Sequence, residues 1–329
     1  MSQVGSAGSA AGSRWRSALR LAVFALFLVF LAVLLARQWQ EVRPLLGRLS
    51  FPGLLAAAAS VLAGHLAIFL SWRALLTDLG ARLPPAGGLR VFFLGQLGKY
   101  VPGSIWPALA HMELGRDYRV PQRVSGAALA VTMLMAVGSG LLVAVLLLPV
   151  AGLGALGRYW WIVVALPVVV LVASPPVLNR LLGLALQVAR RSPLPRPLSS
   201  AGALRSVGWA LAAWVCYGAQ VWLLAHQLGV RGGLSLLLLA TGAFAGAWCV
   251  GFLLVILPAG AGAREAALIL LLAPAMSAPQ ATVVAVVSRL LMTIGDLAWG
   301  GVAALAGRGD RVTRSRSAAP PDRRAGRSR

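Results

Sequence analysis

A single lysine, Lys99, stands in the stretch GQLGKYVPGSIWP (residues 95–107), and the other 29 basic residues of the chain are arginines. Gly98, Tyr100, a Pro102-Gly103 break and Trp106 surround it. A second broken stretch, LPAGAGARE (257–265), sets Gly260 and Gly262 ahead of Arg264 and Glu265. Arg289 and Asp296 follow, and their spacing of two helical turns puts them on one face of a helix. Cations beside breaks suit the capture of a phosphate. A break frees backbone N–H groups, and a helix restarting after it points its positive end into the gap. On this reading Lys99 and Arg264 hold the phosphate of a membrane lipid, with Gly98, Tyr100, Pro102, Gly103, Trp106, Gly260 and Gly262 shaping the site. Glu265, Arg289 and Asp296 gate it or pair with its cations, because ionisable groups inside a membrane are costly without such a role. Two plainer readings compete. Lys99 can snorkel to the interface with Tyr100 and Trp106 as aromatic anchors. The four charges from Arg264 to Asp296 can pair with one another only to orient helices.

No residue pattern points to catalysis, a metal or a cofactor. Glu113 and Asp117 share a helix face but stand beside Arg116 and Arg119, as a solvated surface would. HMELGR (111–116) has no second ligand cluster to make a metal site. GQLGK lacks the spacing and the Ser/Thr of a nucleotide-binding loop, so movement of a substrate would be gradient-driven, partner-coupled or downhill. Cys216 and Cys249 lie in apolar runs and read as packing residues. His65 and His226 read as hydrogen-bonded core groups, and Gly242 with Gly246 as a close helix contact.

The elements that must position these residues are membrane helices. The chain is 59% hydrophobic and 12% charged, against roughly a quarter charged in a soluble domain, and its mean hydropathy is +0.82. Apolar runs near 21–36, 54–76, 125–149, 160–174, 207–228, 234–257 and 281–305 approach or reach the length of a crossing. The expected fold is all-α, a polytopic bundle of about eight transmembrane helices with two broken or re-entrant segments. Segment 176–190 fits an interfacial helix. A disordered tail over 1–17, a transmembrane domain over 18–306 and a disordered basic tail over 307–329 complete the expected organisation. The net charge of +22 sits between apolar runs and in the tail, which reads as positive-inside topology and not as nucleic-acid binding. The basic segments 14–20, 180–205 and 308–329 put both termini in the cytoplasm, with seven to nine crossings still open. Arginine over lysine, with abundant Ala, Gly and Leu, suits a GC-rich genome, and the expected location is a bacterial plasma membrane.

SWRALLTDLGARLPP (71–85) and VWLLAHQLGVRGG (221–233) share a Trp, a Leu-Leu pair and a Leu-Gly end. Each is followed by an apolar run and a break, so the chain carries a candidate internal repeat. Repeat transporters place substrate between such broken helices.

Trp72-Arg73, the run Gly98-Lys99-Tyr100-Val101-Pro102-Gly103 with Trp106, and the run from Pro258 to Glu265 together resemble the lysylphosphatidylglycerol synthase transmembrane-region, or flippase-like, family. The likeness covers most of residues 18 to 306. It implies a bundle that moves or presents an anionic phospholipid or a polyprenyl-phosphate-linked sugar. In some relatives such a bundle adjoins a soluble aminoacyl-transferase domain. No such domain is expected here after residue 306, so aminoacyl transfer by this chain alone is not expected. Pro258-Ala259 departs from the Pro-Gly of the family pattern and puts the shape of the second break in doubt. The alternative is a non-catalytic membrane subunit or partner of a lipid-modifying glycosyl- or aminoacyl-transferase.

Overall fold

The computed structural model describes residues 39–100, 105–150, 174–254 and 262–317, the side chains of Val150 and of 307–317 excepted. The described residues form helices joined by turns and short loops, without strands. In chain order they form α1 (Trp39–Leu46), α2 (Phe51–Asp78), α3 (Pro85–Leu89), α4 (Trp106–Arg116), α5 (Gln122–Val150), α6 (Pro175–Val188), α7 (Ser200–Gln227), α8 (Leu234–Leu253), α9 (Ala263–Leu272) and α10 (Ala278–Ser317). Five of these, α2, α5, α7, α8 and α10, are long and apolar enough to cross a membrane. The crossings expected at 21–36 and 160–174 lie outside the described residues, as do Pro102, Gly103 and Gly260. The interfacial helix expected at 176–190 corresponds to α6. The last helix, α10, runs to Ser317.

The centre of the bundle is the antiparallel pair α2 and α7. Each starts at a serine whose hydroxyl accepts the N–H three residues on, Gly53 for Ser50 and Gly202 for Ser199. Each serine is also tied to the far end of the other helix. Ser50 N–H donates to Gln227 Oε1 at 2.8 Å, and Ser199 N–H donates to Asp78 Oδ2 at 2.7 Å. Both helices then stop alike, at Leu79-Gly80 and at Leu228-Gly229, where the glycines take φ of 97° and 84°. The next N–H reaches back five residues in each case, Ala81 to Leu76 and Val230 to Ala225. This is a Schellman ending, for which a left-handed glycine is suited.

Two apolar clusters flank the pair. One gathers Trp214, Tyr217 and Phe244 with residues of α9 and α10. The other gathers Phe69, Trp72, Phe92 and Phe93. The second cluster holds the first broken segment in place. Residues Arg90–Leu94 form a π-helical turn and Leu97–Tyr100 a 3-10 turn, so the chain changes pitch twice before the break. Such local changes of winding re-aim side chains and recur at functional positions. Phe93 stacks on Trp299 of α10 with ring centroids 4.8 Å apart, which fixes this segment against the last helix.

Candidate functional site

The 3-10 turn Leu97–Tyr100 brings Lys99 and Tyr100 onto α10. Lys99 Nζ lies 2.7 Å from Asp296 Oδ2, and the Tyr100 hydroxyl donates to the same oxygen at 2.6 Å. Asp296 is 6% exposed. Its other oxygen, Oδ1, faces His65 Nε2 of α2 at 3.0 Å. The turn depends on Gly98, because a Cβ there would stand 2.9 Å from Pro107 N and 3.0 Å from the Trp106 carbonyl carbon. Real Cβ atoms do not sit that close to backbone, so the start of α4 can pack against the turn only at a glycine. Trp106 opens α4 and is largely exposed.

On the far side of the second break, Gly262 has φ 92° and precedes α9. Its N–H donates to Glu265 Oε2 at 2.6 Å, so the carboxylate caps its own helix and meets the positive end of the helix dipole. That N–H is therefore already satisfied in this structure. The other carboxylate oxygen, Oε1, lies 3.5 Å from Arg289 Nη1. Arg264 takes a different course. It is nine-tenths buried, its guanidinium sits over the Phe244 ring at 4.6 Å, and its Nη2 has no hydrogen-bond partner among the described residues.

Both breaks thus deliver charged residues to one face of α10. Glu265 meets it at Arg289, and Lys99 meets it at Asp296, two turns or about 10 Å further along. Tyr217 of α7 joins the two groups, since its hydroxyl stands 3.5 Å from His65 Nδ1 and it lies within electrostatic reach of Arg264 and Asp296. The network counts three permanent cations, Lys99, Arg264 and Arg289, against two carboxylates, Glu265 and Asp296.

A family model described as lysylphosphatidylglycerol synthase TM region matches residues 17–300. The chain belongs to that family. It is a multi-pass helical membrane protein, and the match spans both flanks of the two breaks and the Asp296 cluster. Among curated proteins none matches the chain. Charges beside the breaks pointed to Lys99, Arg264 and Glu265, while His65 read only as a hydrogen-bonded core group and Tyr217 carried no signal. His65 is 231 residues from Asp296 in sequence, and a lone histidine in an apolar run gives no sign of what it will face. Of the other family-like residues, Trp72 is buried among Phe69, Phe92 and His111 and does not reach the cluster. His226 packs against Trp222 with the rings tilted, and Gly242 and Gly246 meet α5 at Leu147, Leu148 and Ala144, as packing residues do. Among the described residues no group of three metal-ligating side chains occurs.

Proposed function

We propose that this protein translocates an anionic lipid, and that the lipid phosphate is bound between Lys99 and Arg264. The observation that carries this reading is Arg264. Removing a guanidinium from water is expensive, and it is tolerated where every donor finds an acceptor. Arg264 is buried, stacks on an aromatic ring and leaves Nη2 without an acceptor among the described residues, beside a surplus of positive charge. A phosphate oxygen supplies both the missing acceptor and the missing charge. Guanidinium matches phosphate geometry well. Lys99 is about a third exposed and is held by Asp296, so it can swing to a phosphate as a point charge while Asp296 keeps its bonds to Tyr100 and His65.

The matched ends of α2 and α7 support the internal-repeat reading. Serine caps, Leu-Gly endings and length correspond at an offset of about 150 residues, and the two helices run antiparallel. An antiparallel pair at the centre is what an inverted repeat would produce, and inverted repeats underlie alternating access in several transporter folds. The acyl chains of the substrate would remain in lipid while the headgroup crosses along the charged face of α10.

Native mass spectrometry of the gently purified protein tests this. A co-purifying anionic lipid is expected, and Arg264→Gln should lose it while keeping the helical content of the parent. Retention of the same lipid by Arg264→Gln would remove the basis of the proposal.

A further inference from the structure

The imidazole of His65 is set between two acceptors. Nδ1 lies 2.8 Å from the Val61 carbonyl oxygen one turn back in α2, and Nε2 lies 3.0 Å from Asp296 Oδ1. A carbonyl oxygen can only accept, so a neutral ring with its single N–H satisfies one of the two contacts. With the hydrogen on Nδ1 the Nε2 lone pair faces the carboxylate, and with it on Nε2 the Nδ1 lone pair faces the Val61 carbonyl, where the Tyr217 hydroxyl at 3.5 Å is the one donor at hand. One more proton resolves the contact. It sits on Nε2, giving an imidazolium beside a carboxylate, or on Oδ1, giving a neutral ring that accepts from a carboxylic acid. Oδ2 cannot take its place, since it already accepts from Lys99 and Tyr100.

We propose that His65 and Asp296 together bind one exchangeable proton, and that this proton couples lipid movement to proton movement. The coupling rests on the phosphate reading above, whereas the proton site does not. Several groups surround the pair: Lys99 and Tyr100 from the 3-10 turn, Tyr217 from α7 and Arg264 from α9 act on it, and Arg289 and Thr293 of α10 act on Tyr100. Among them the permanent charges are all positive, and the nearest further carboxylate, Glu265, is engaged with Arg289 and Gly262.

The direction of coupling follows from charge. With the proton bound, the cluster is one unit more positive and favours an anion. A phosphate that draws Lys99 away leaves the carboxylate without its cation, and the shared proton then balances that charge. By linkage the phosphate and the proton each strengthen the binding of the other, so they travel in the same direction. Nothing is oxidised or reduced; the proton enters from one aqueous side and leaves to the other.

The chain has only 3 histidines, so histidine labelled with 15N and aspartate labelled with 13C at the carboxyl give an assignable NMR spectrum of the full chain in detergent. At neutral pH the His65–Asp296 pair is expected to show either a doubly protonated ring or a protonated carboxyl. Asp296→Asn should return His65 to a neutral ring protonated at Nδ1. A neutral ring beside an ionised carboxylate in the parent protein overturns the proton site. The coupling is read with dihexanoylphosphatidylglycerol as probe. Its affinity should fall as rising pH removes the shared proton, by up to about tenfold per pH unit, and should be flat with pH in Asp296→Asn. Affinity that is flat with pH in the parent overturns the coupling even if the proton is present. Absence of probe binding at every pH overturns the coupling together with the phosphate reading, and the NMR result then decides the proton site alone.

Discussion

Asp296→Asn should make the protein less stable and a better binder of anionic lipid. The substitution keeps the shape of the side chain, and the Tyr100 hydroxyl at 2.6 Å and the His65 ring at 3.0 Å still find polar atoms. It removes the charge partner that holds Lys99 at 2.7 Å. Breaking a fully buried ion pair costs about 3–5 kcal/mol. Lys99 is 32% exposed at its side chain and can turn to water, so about 1–3 kcal/mol is expected here. A lysine no longer committed to Asp296 need not break that contact to reach a phosphate. A charge-assisted contact of roughly 1.5–3 kcal/mol, partly cancelled by the existing pair in the parent, should tighten phosphatidylglycerol binding by roughly tenfold. The assay is thermal unfolding in detergent alongside lipid titration, for the parent, Asp296→Asn, Lys99→Gln and the double variant. Lys99→Gln should bind more weakly than the parent, and adding Asp296→Asn to it should restore little affinity. If Asp296→Asn lowers affinity as much as Lys99→Gln does, the two residues act as one ligand set and the idea of Lys99 held in reserve is wrong.

Arg289→Ala should destabilise the protein by about 3 kcal/mol, because Glu265 stays buried without its cation, and Glu265→Gln in the same chain should recover part of that loss in thermal unfolding. Gly98→Ala should cost about 1–3 kcal/mol, since its Cβ meets the backbone of Trp106 and Pro107, and it should weaken lipid binding by displacing Lys99. Gly262→Ala should cost about 1–2 kcal/mol for a left-handed alanine at φ 92°; an unchanged melting temperature would argue against that conformation. Ser199→Ala should cost about 1 kcal/mol through loss of its cap and of its tie to Asp78, with no change in the lipid titration.

The sequence showed the helices more readily than the contacts between them. Runs such as 54–76 and 207–228 carry their own signal, because a crossing needs a fixed length of apolar residues, and they fall on α2 and on α7, which starts earlier, at Ser200. The spacing of Arg289 and Asp296 put both on one helix face, which is where the structure has them. What the spacing could not give was their partners. Asp296 binds Lys99 and His65 from segments far away in the chain, and a lone cation has no sequence feature that selects among distant carboxylates. Glu265 offered a choice of Arg264 or Arg289, and helix geometry decides it: Arg264 turns onto Phe244 while Arg289 lies across from the carboxylate. The partner of the Gly262 N–H is the carboxylate three residues on, an ordinary N-terminal capping geometry.

Lipid movement itself is the most direct test. The purified protein would be reconstituted into phosphatidylcholine vesicles containing a trace of fluorescently labelled phosphatidylglycerol, with the outer leaflet bleached by a membrane-impermeant reductant. Labelled phosphatidylglycerol is expected to become accessible faster than in protein-free vesicles, and faster than labelled phosphatidylcholine. Arg264→Gln, folded by circular dichroism, should bring the rate back to the protein-free value. Equal rates for the two lipids, or an Arg264→Gln protein as active as the parent, would contradict a phosphate-binding translocase built on this residue.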